Sequence, residues 1–326
     1  MQASTPYRIS VVIPVYQGEQ SLPTLLEELK PLATETVSRA GNRFLVTEVV
    51  LVHDCGPDDS GKTIQALADA HPFVRPVWLS KNFGQHPATL AGMASSTGDW
   101  VVTMDEDGQQ NPADVGPLLD TAIEEGAQLV YAQPADPPPH GVFRNALSRG
   151  AKKAATFLLD NNEIGHFNSF RLLRGDIARS LAAYCGNGVY LDVALFWMTA
   201  RVSRCKVGLR RGLERPSGYS LRKLFRHFWT LLLTSGTRPL RLITVMGFSS
   251  LILAVLIAAY AVWVKFYRGT PVEGWASIVI VVAFFSGCIL MSLGVIAEYM
   301  VVTMSIVMGK PLYVVASRPT PPRRKA

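Results

Sequence analysis

Cysteine is scarce in this sequence, and charged residues are fewer than in most soluble proteins. The 326 residues include four cysteines, and no two of them form a C-x-x-C pair. A disulfide framework and a cysteine zinc site are therefore not expected, which agrees with a reducing compartment. Charged residues make up 17% of the chain, below the roughly 25% of soluble domains. The N-terminal residues MQASTPYRIS contain no apolar run, so we expect no signal peptide.

Two long uncharged runs near the C-terminus account for the apolar excess. They extend from Leu242 to Val264 and from Trp275 to Ala297. Each run forms a helix of about 34 Å, long enough to cross a hydrocarbon core of ~30 Å. We therefore expect two transmembrane helices joined by a short loop, residues 265–274. A pair of buried helices in a large soluble core is the alternative, but buried helices of this length seldom lack every charge.

Basic residues cluster on both flanks of this expected hairpin. Residues 201–241 contain eleven Lys and Arg against one acid, Glu214, and five more basic residues follow the second run. The connecting loop carries only Lys265 and Arg268. The positive-inside rule therefore predicts a large cytosolic domain with both termini in the cytoplasm. Because the net charge of +7 is concentrated beside the membrane, it favours anionic lipid over nucleic acid as a partner.

Short apolar runs alternate with helical patterns in the N-terminal two thirds of the chain. Strands are predicted at Ile9–Tyr16, Phe44–Asp54, Phe73–Ser80, Asp99–Asp107 and Gln128–Gln133, and helices are predicted to begin near Ser21, Ser60, Pro87 and Pro112. This alternation predicts an α/β fold with a parallel sheet and ligands at the carboxyl ends of the strands. The proline-rich run at residues 135–141 is predicted to be a loop.

Four regions are expected along the chain. A cytosolic catalytic domain covers residues 1–215, and a juxtamembrane segment covers residues 216–241. The membrane hairpin covers residues 242–304, and a basic tail covers residues 305–326. Within the juxtamembrane segment, apolar side chains recur on one helical face, which favours a helix lying in the headgroup region. A packing helix of the soluble domain is the alternative.

The stretch GPDDSGKT, Gly56 to Thr63, fits the P-loop pattern G-x-x-x-x-G-K-[ST]. A P-loop cradles phosphates with successive backbone N–H groups. Here Pro57 has no N–H, and the acids at positions 58 and 59 would place negative charge against a polyphosphate. We therefore expect Lys62 to be an exposed residue early in a helix, with a nucleoside triphosphatase as the alternative.

Three acids end the apolar strand predicted before residue 107. In an extended chain alternate residues share a face, so the carboxylates of Asp105 and Asp107 would converge. Magnesium and manganese prefer oxygen ligands from one or two carboxylates together with phosphates. The pair therefore predicts a metal site, although D-x-D alone is a weak motif and an ordinary acidic loop is the alternative.

Six segments occur in an order that identifies the chain as resembling a known family. They are SVVIPVYQGEQSL, LVHDCGPDDS, KNFGQHPATLAGMASSTGDWVVTMDEDGQQNP, ERPSGYSLRKL, TRPLRLITVMG and EYMVVTMSIVMGKPLYVV. Together they resemble family 2 glycosyltransferases of the GT-A (Rossmann-like) fold over nearly the whole chain. The narrower resemblance is to polyprenyl-phosphate glycosyltransferases, which include undecaprenyl-phosphate 4-deoxy-4-formamido-L-arabinose transferases, bactoprenol glucosyltransferases and dolichol-phosphate mannose synthases.

The resemblance implies a nucleotide-sugar donor, with uridine diphosphate favoured, above the strand ends. Asp105 and Asp107 would hold Mg²⁺ or Mn²⁺ on the diphosphate, where the metal neutralises charge on the leaving group. Gln109 would orient phosphate or sugar, or would simply cap its loop. The donor-binding residues implied in this way are Pro14, Tyr16, Glu19, Asp54, Asn82 and Asp105, with Asp54 at the nucleobase.

The resemblance also implies a polyprenyl phosphate acceptor, with undecaprenyl phosphate favoured. Because that phosphate is already an anion at pH 7, it needs positive charge and in-line placement more than a general base. A single displacement would invert the anomeric configuration. The residues implied for the acceptor phosphate are Arg171, Arg215, Ser217, Tyr219, Arg222 and Lys223. General attraction to anionic lipid is the alternative role for each basic one.

The sequence departs from the family pattern in places that concern the nucleobase and the sugar. His53 replaces the first aspartate of V-D-D, Cys55 replaces the following glycine, and Ser169 stands where many members carry an acid. A processive polysaccharide synthase is disfavoured because the chain has no R-W dipeptide. An inactive membrane subunit is disfavoured by the intact aspartate pair. The resemblance further implies a homotetramer in the bacterial inner membrane.

Overall fold

An eight-stranded mixed sheet organises the N-terminal two thirds of the chain. This computed structural model describes residues 5–134, 167–186, 190–208 and 210, scattered positions between 245 and 267, and residues 274–317. The strands are β1 Tyr7–Val15, β2 Thr36–Val37, β3 Arg43–His53, β4 Val74–Trp78, β5 Trp100–Thr103, β6 Leu129–Pro134, β7 Arg171–Arg174 and β8 Val202–Val207. Their order is β2-β3-β1-β5-β7-β6-β8, and β4 also pairs with β3.

The five strands predicted from the sequence are present, but the sheet is not wholly parallel. Strands β1, β3, β4 and β5 are parallel to their partners within this group, as predicted. Strand β7 runs antiparallel between β5 and β6 and was not predicted. Its four residues, RLLR, contain only two apolar side chains between arginines, which is too short for a periodic signal. The parallel sheet is therefore corrected to a mixed one.

Helices cover both faces of the sheet. These are α1 Leu22–Leu29, α2 Ser60–Ala70, α3 Gln85–Ser95, α4 Val115–Glu124, α5 Gly175–Tyr184 and α6 Leu191–Met198, and a further helix, α7 Trp275–Val307, has no residue in the described core clusters. Alternate residues of the central strands face opposite sides: Val11 and Ile13 pack with α1, α2 and α4, whereas Val12 packs with α3, α5 and α6. Burial on both faces explains why these strands read as continuous apolar runs. The four predicted helix starts are confirmed to within a few residues.

Helix α7 is the described helix that is long and apolar enough to cross a membrane. It begins at Trp275, where the second span was predicted to begin, but continues past Ala297 to Val307. At 33 residues it is about 50 Å long. Its most apolar stretch, Phe284–Met304, has a mean hydropathy of 1.8, and none of its residues is buried in the protein. The first predicted span contributes only scattered described positions and stays a prediction.

The chain returns to the sheet after α7. Residues 311–316, here called the C-terminal strap, lie beside β4, where Val315 forms an antiparallel bridge with Leu79. The Ser80 N–H donates to the Val314 carbonyl at 3.0 Å, and the Ala316 N–H donates to the Trp78 carbonyl at 2.9 Å. Leu312 and Tyr313 pack against the core face that holds α3. The strap therefore fastens the end of α7 to the domain that contains the sheet, within the region that the sequence analysis described as a basic tail.

Removing one strap hydrogen bond tests this attachment. Ala316→Pro deletes the N–H that donates to Trp78, and we expect it to destabilise the domain by about 1 kcal/mol. Val315→Pro is the matched control, because in this antiparallel register the Val315 N–H points away from β4. Thermal unfolding in detergent should show a lower midpoint for Ala316→Pro than for Val315→Pro. Equal midpoints would contradict the attachment.

Candidate active site

Three loops meet at the carboxyl ends of β1, β3 and β5. These strands are neighbours and parallel, so their ends lie side by side at one edge of the sheet. We call them the β1 loop, residues 16–21, the β3 loop, residues 54–59, and the acidic loop, residues 104–111. They contain the predicted metal aspartates and most of the predicted donor residues. Direct contacts join all three.

Asp105 is held by side-chain donors from three parts of the chain. Its carboxylate accepts hydrogen bonds from Gln85 Nε2 at 2.6 Å, Gln110 Nε2 at 3.0 Å and Ser169 Oγ at 2.5 Å. The Asp105 N–H donates to Gln110 Oε1 at 2.8 Å, so the Gln110 side chain hydrogen-bonds to both the backbone and the carboxylate of Asp105. Burial raises the pKa of Asp105 and the charge of Asp107 adds to this, while the Ser169 hydrogen bond opposes it.

Asp107 accepts fewer described hydrogen bonds than Asp105, although both residues are partly buried. Its carboxylate accepts the Gln109 N–H at 3.0 Å. Gly108, between them, has φ of 73°, a conformation that favours glycine and allows this tight turn. Gln109 is exposed, and its carbonyl accepts the Arg210 N–H at 3.1 Å. The Asp107 carboxylate thus accepts one described backbone hydrogen bond, and its other lone pairs could bind a cation.

The acidic loop fits a hard divalent cation that also binds phosphate. Two partly buried carboxylates, Asp105 and Asp107, supply the oxygen donors that Mg²⁺ and Mn²⁺ prefer. Within the described residues, no three His, Cys, Asp or Glu side chains are grouped so that they could hold a metal. Magnesium sites in nucleotide-binding proteins commonly use one or two carboxylates, and water and phosphate oxygens supply the other ligands. A pair of carboxylates is therefore enough for a site of this kind.

Asp54 has a structural partner that the sequence did not reveal. Its carboxylate is 3% exposed and accepts the N–H groups of Phe83 at 2.7 Å and Gly84 at 2.8 Å, just before α3. Burial raises the pKa of Asp54, and these two hydrogen bonds oppose the rise. The side chain thus fixes the loop that carries Asn82, which is exposed. Its predicted contact with a nucleobase stays a prediction.

The other predicted donor residues lie in or beside the β1 loop. Pro14 is buried in β1, and the Tyr16 side chain after it is 43% exposed. Glu19 accepts the Asp59 N–H at 3.2 Å, and its own N–H donates to Asp58 at 3.1 Å. These reciprocal bonds tie the β1 loop to the β3 loop. The structure therefore brings the predicted donor residues to one edge of the sheet.

The GPDDSGKT stretch does not have the geometry of a phosphate cradle. The Asp59 N–H is taken by Glu19, and the Ser60 N–H and Oγ both donate to Asp58, at 3.3 and 2.6 Å. Lys62 is in the first turn of α2, with its side chain 72% exposed and its Nζ 2.9 Å from the Asp59 carboxylate. The prediction of an exposed lysine early in a helix is confirmed.

Arg171, predicted to bind the acceptor phosphate, lies beneath the acidic loop. Its guanidinium is 3% exposed and pairs with Asp192, which also accepts a hydrogen bond from Tyr131 at 2.9 Å. Its Nε donates to Thr103 Oγ1 at 3.1 Å. In this position Arg171 supports the end of β5 rather than presenting a free cation to a ligand. The other implied acceptor residues, Arg215, Ser217, Tyr219, Arg222 and Lys223, lie outside the described residues.

Four residues at the site were missed from the sequence as functional candidates. Gln85, Gln110 and Ser169 surround Asp105, and Glu106 contacts the β1 loop. Gln85 and Ser169 are 20 and 64 residues from Asp105 in the chain, so no local pattern could connect them. Gln110 adjoins the D-x-D motif, and its position there was the one available signal.

The mixed sheet with an acidic loop at its strand ends defines a GT-A-like α/β protein. The chain belongs to glycosyl transferase family 2, whose domain matches residues 10–181. It is 27% identical to the bactoprenol glucosyl transferase of Shigella phage SfX, covering 95% of this chain and 99% of the relative. It is 30% identical to the undecaprenyl-phosphate 4-deoxy-4-formamido-L-arabinose transferase of Pseudomonas savastanoi pv. phaseolicola (strain 1448A / Race 6), covering 94% and 89%.

A solved structure supports the fold assignment. The glucosyl-3-phosphoglycerate synthase of Mycobacterium tuberculosis, in complex with Mn²⁺, uridine diphosphate and glucosyl-3-phosphoglycerate, aligns with a TM-score of 0.50. The alignment covers 71% of this chain and 80% of that protein at 20% identity. At this identity the similarity concerns the fold alone.

Gly56 is a second point where the β1 and β3 loops touch. A Cβ atom at this position would lie 1.4 Å from the Tyr16 carbonyl oxygen, so a side chain cannot be accommodated without moving the backbone. We expect Gly56→Ala to lower stability by roughly 2 kcal/mol or more. Gly116→Ala in α4 is the control, since its Cβ would make ordinary contacts at 3.5 Å or beyond. Denaturant unfolding with equal losses for both variants would contradict this packing.

His53 makes the stability of this edge of the sheet dependent on pH. It is 8% exposed, packs edge-on against Trp78 at 5.4 Å, and neither ring nitrogen has a hydrogen-bond partner in the described structure. Burial lowers its pKa. The pKa of this histidine in the unfolded chain is about 6.5. Below that pH the histidine binds a proton more readily in the unfolded chain than in the folded protein, which favours unfolding.

We expect the free energy of unfolding to decrease as the pH falls below about 6.5. The decrease should be smaller in the His53→Phe variant, which has no titratable group at this position. Denaturant midpoints measured between pH 7.5 and pH 5 in the two proteins test this expectation. At pH 7.5 both side chains are uncharged, so that value serves as the reference. The same pH slope in both proteins would show that His53 is not responsible.

Proposed function

We propose that this glycosyltransferase transfers a sugar from a nucleotide-sugar, with a UDP-sugar favoured, to the phosphate of a polyprenyl phosphate. The carrying observation is the acidic loop: Asp105 and Asp107 lie at the strand ends beside the two loops predicted to hold the nucleotide. Relatives named for bactoprenol and undecaprenyl phosphate align over nearly the whole chain, which supports a polyprenyl acceptor. The lipid-linked monosaccharide would serve synthesis or modification of the cell envelope.

The donor would lie across the three loops. Asp105 and Asp107 would hold a Mg²⁺ or Mn²⁺ ion, which when bound neutralises charge on the leaving nucleoside diphosphate. Tyr16 is exposed enough to line a nucleobase pocket. Gln85, Gln110 and Ser169 keep the Asp105 carboxylate in one orientation, so the site is arranged before the donor binds. Gln109, exposed next to Asp107, would contact phosphate or sugar.

The acceptor phosphate would attack the anomeric carbon of the donor. A new bond forms between its oxygen and that carbon, the bond from the carbon to the diphosphate oxygen breaks, and the nucleoside diphosphate leaves. One displacement inverts the configuration. The phosphate is already ionised at pH 7, so the replacement of a family acid by Ser169 does not remove a required base. Positive charge in the segment 215–223 would bring the two anionic substrates together.

The membrane arrangement we propose places the site at the cytoplasmic surface. Helix α7 would form one span, the run from Leu242 to Val264 would form the other, and both termini would be cytoplasmic. The C-terminal strap supports this arrangement, because it binds the end of α7 to the same sheet that carries the acidic loop. A homotetramer in the bacterial inner membrane is the assembly we expect from the family resemblance.

Transfer of label into lipid tests the function directly. Membranes containing the protein and undecaprenyl phosphate would be incubated with a series of radiolabelled nucleotide-sugars, and counts would be read in the lipid extract. We expect label from one donor and a loss of 100-fold or more in Asp107→Asn, in line with the roughly 10²–10³ effect of removing one electrostatic group. Asp107 is chosen because Asp105→Asn would also disturb the donors around it.

Lys62→Ala is the matched control for this experiment. The lysine is exposed in the first turn of α2 and pairs only with Asp59 among the described contacts. Its replacement should leave transfer within about twofold of the unchanged protein, as for other exposed sites. Label absent from lipid with every donor would contradict the proposal. Loss of activity in Lys62→Ala but not in Asp107→Asn would favour the nucleoside triphosphatase.

A further inference from the structure

Glu106 lies between the two metal aspartates, but its carboxylate contacts a different loop. Oε2 accepts the Tyr16 N–H at 2.9 Å, and Oε1 accepts the Gln17 N–H at 3.0 Å. The Gln17 N–H also lies 3.2 Å from Oε2. A Cβ atom at Gly18 would lie 2.8 Å from Oε2, so the carboxylate is packed closely against the β1 loop. One carboxylate therefore holds two successive backbone N–H groups.

The three acids follow the end of β5, which stops at Thr103, and residues 106 and 107 lie in a turn, so the strand predicted to continue to Asp107 is corrected to this shorter one. Neighbouring carboxylates of this segment contact different parts of the chain: Asp105 accepts hydrogen bonds from Gln85, Gln110 and Ser169, whereas Glu106 accepts them from the β1 loop. Hydrogen bonds to an ionised carboxylate are roughly twice as strong as neutral ones. Glu106 thus fastens the β1 loop to the acidic loop, while the Asp107 carboxylate accepts a single described hydrogen bond, from the Gln109 N–H.

The β1 loop is also attached to the β3 loop. Glu19 and Asp58 join it to the β3 loop through their reciprocal hydrogen bonds, and Gly56 packs against the Tyr16 carbonyl. Glu106 supplies the attachment to the acidic loop. With both attachments in place, the loop that carries Tyr16 is fixed from two sides.

We propose that Glu106 is a positioning residue for the nucleotide of the donor. It holds the backbone at Tyr16 and Gln17 so that the nucleobase pocket and the metal aspartates form one preformed unit. The inference rests on the proposed function, because it assumes that a nucleotide lies across these loops. It assigns to the middle position of D-x-D a role in nucleotide affinity rather than in metal binding.

Nucleotide binding measured without turnover tests this role. Uridine diphosphate and guanosine diphosphate would each be titrated calorimetrically into the full-length protein in detergent with saturating Mn²⁺. We expect Glu106→Ala to weaken binding of the recognised nucleotide about 10-fold, which corresponds to the loss of about one charge-assisted hydrogen bond. Glu106→Gln, which keeps one acceptor oxygen, should lose less. Glu125→Ala, an exposed acid at the end of α4, should bind as the unchanged protein does.

Two further readouts separate positioning from metal ligation and from general damage. At saturating nucleotide, the Mn²⁺ concentration for half-saturation should be unchanged in Glu106→Ala. In the transfer assay the donor KM should rise while kcat changes by less than about threefold, the pattern of lost uniform binding. Amide hydrogen exchange at residues 16 and 17 should be faster in the variant.

The outcomes are distinct. Unchanged nucleotide affinity in Glu106→Ala, or a loss explained by a shift in Mn²⁺ half-saturation, overturns the positioning role while leaving the proposed function intact. If Glu106→Ala does not fold, Glu106→Gln decides, and unchanged nucleotide affinity in it overturns the role. If the unchanged protein binds neither nucleotide, the proposed function fails and this inference fails with it.

Discussion

The concentration of negative charge at one edge of the sheet is the constraint on which the rest of the site depends. Asp105 is partly buried, Asp107 adjoins it, and Glu106 stands between them. Like charges at this distance destabilise each other unless cations or hydrogen bonds compensate. The structure compensates two of them: Gln85, Gln110 and Ser169 donate to Asp105, and backbone N–H groups donate to Glu106. Asp107 accepts one described hydrogen bond, from the Gln109 N–H, and a divalent cation would balance its charge together with that of a bound diphosphate.

On the proposed function, a soluble donor and a membrane-bound acceptor would meet at this edge of the sheet. Parallel β1, β3 and β5 bring three loops to one edge, and side-chain carboxylates then tie those loops together. After helix α7, the C-terminal strap lies beside β4 and is bonded to the end of that strand. One sheet therefore carries both the three loops of the candidate site and the attachment of the apolar helix. Such an arrangement would fix the height of the site above a membrane without a separate linker.

The helices and strands of this protein could be predicted from the sequence more fully than the side-chain contacts between them. Strands buried on both faces and helices with strong apolar periodicity were identified because their signals are local. The antiparallel β7 was missed because four residues give no period, and the strap was missed because KPLYVV carries no sign of its distant partner Leu79. At the site, the D-x-D pair was predicted from its spacing and the family resemblance, and its metal role stays a prediction. The partners of Asp105 and the roles of Asp54 and Arg171 depend on chain segments far apart, which only the folded structure brings together.

Direct observation of the cation tests the central claim most closely. Crystals of the protein grown with the recognised nucleoside diphosphate and Mn²⁺ would be measured at the manganese absorption edge. The account predicts an anomalous peak between the diphosphate and the carboxylates of Asp105 and Asp107, with Glu106 still bonded to the β1 loop. A bound nucleotide with no metal peak beside those two carboxylates would contradict it.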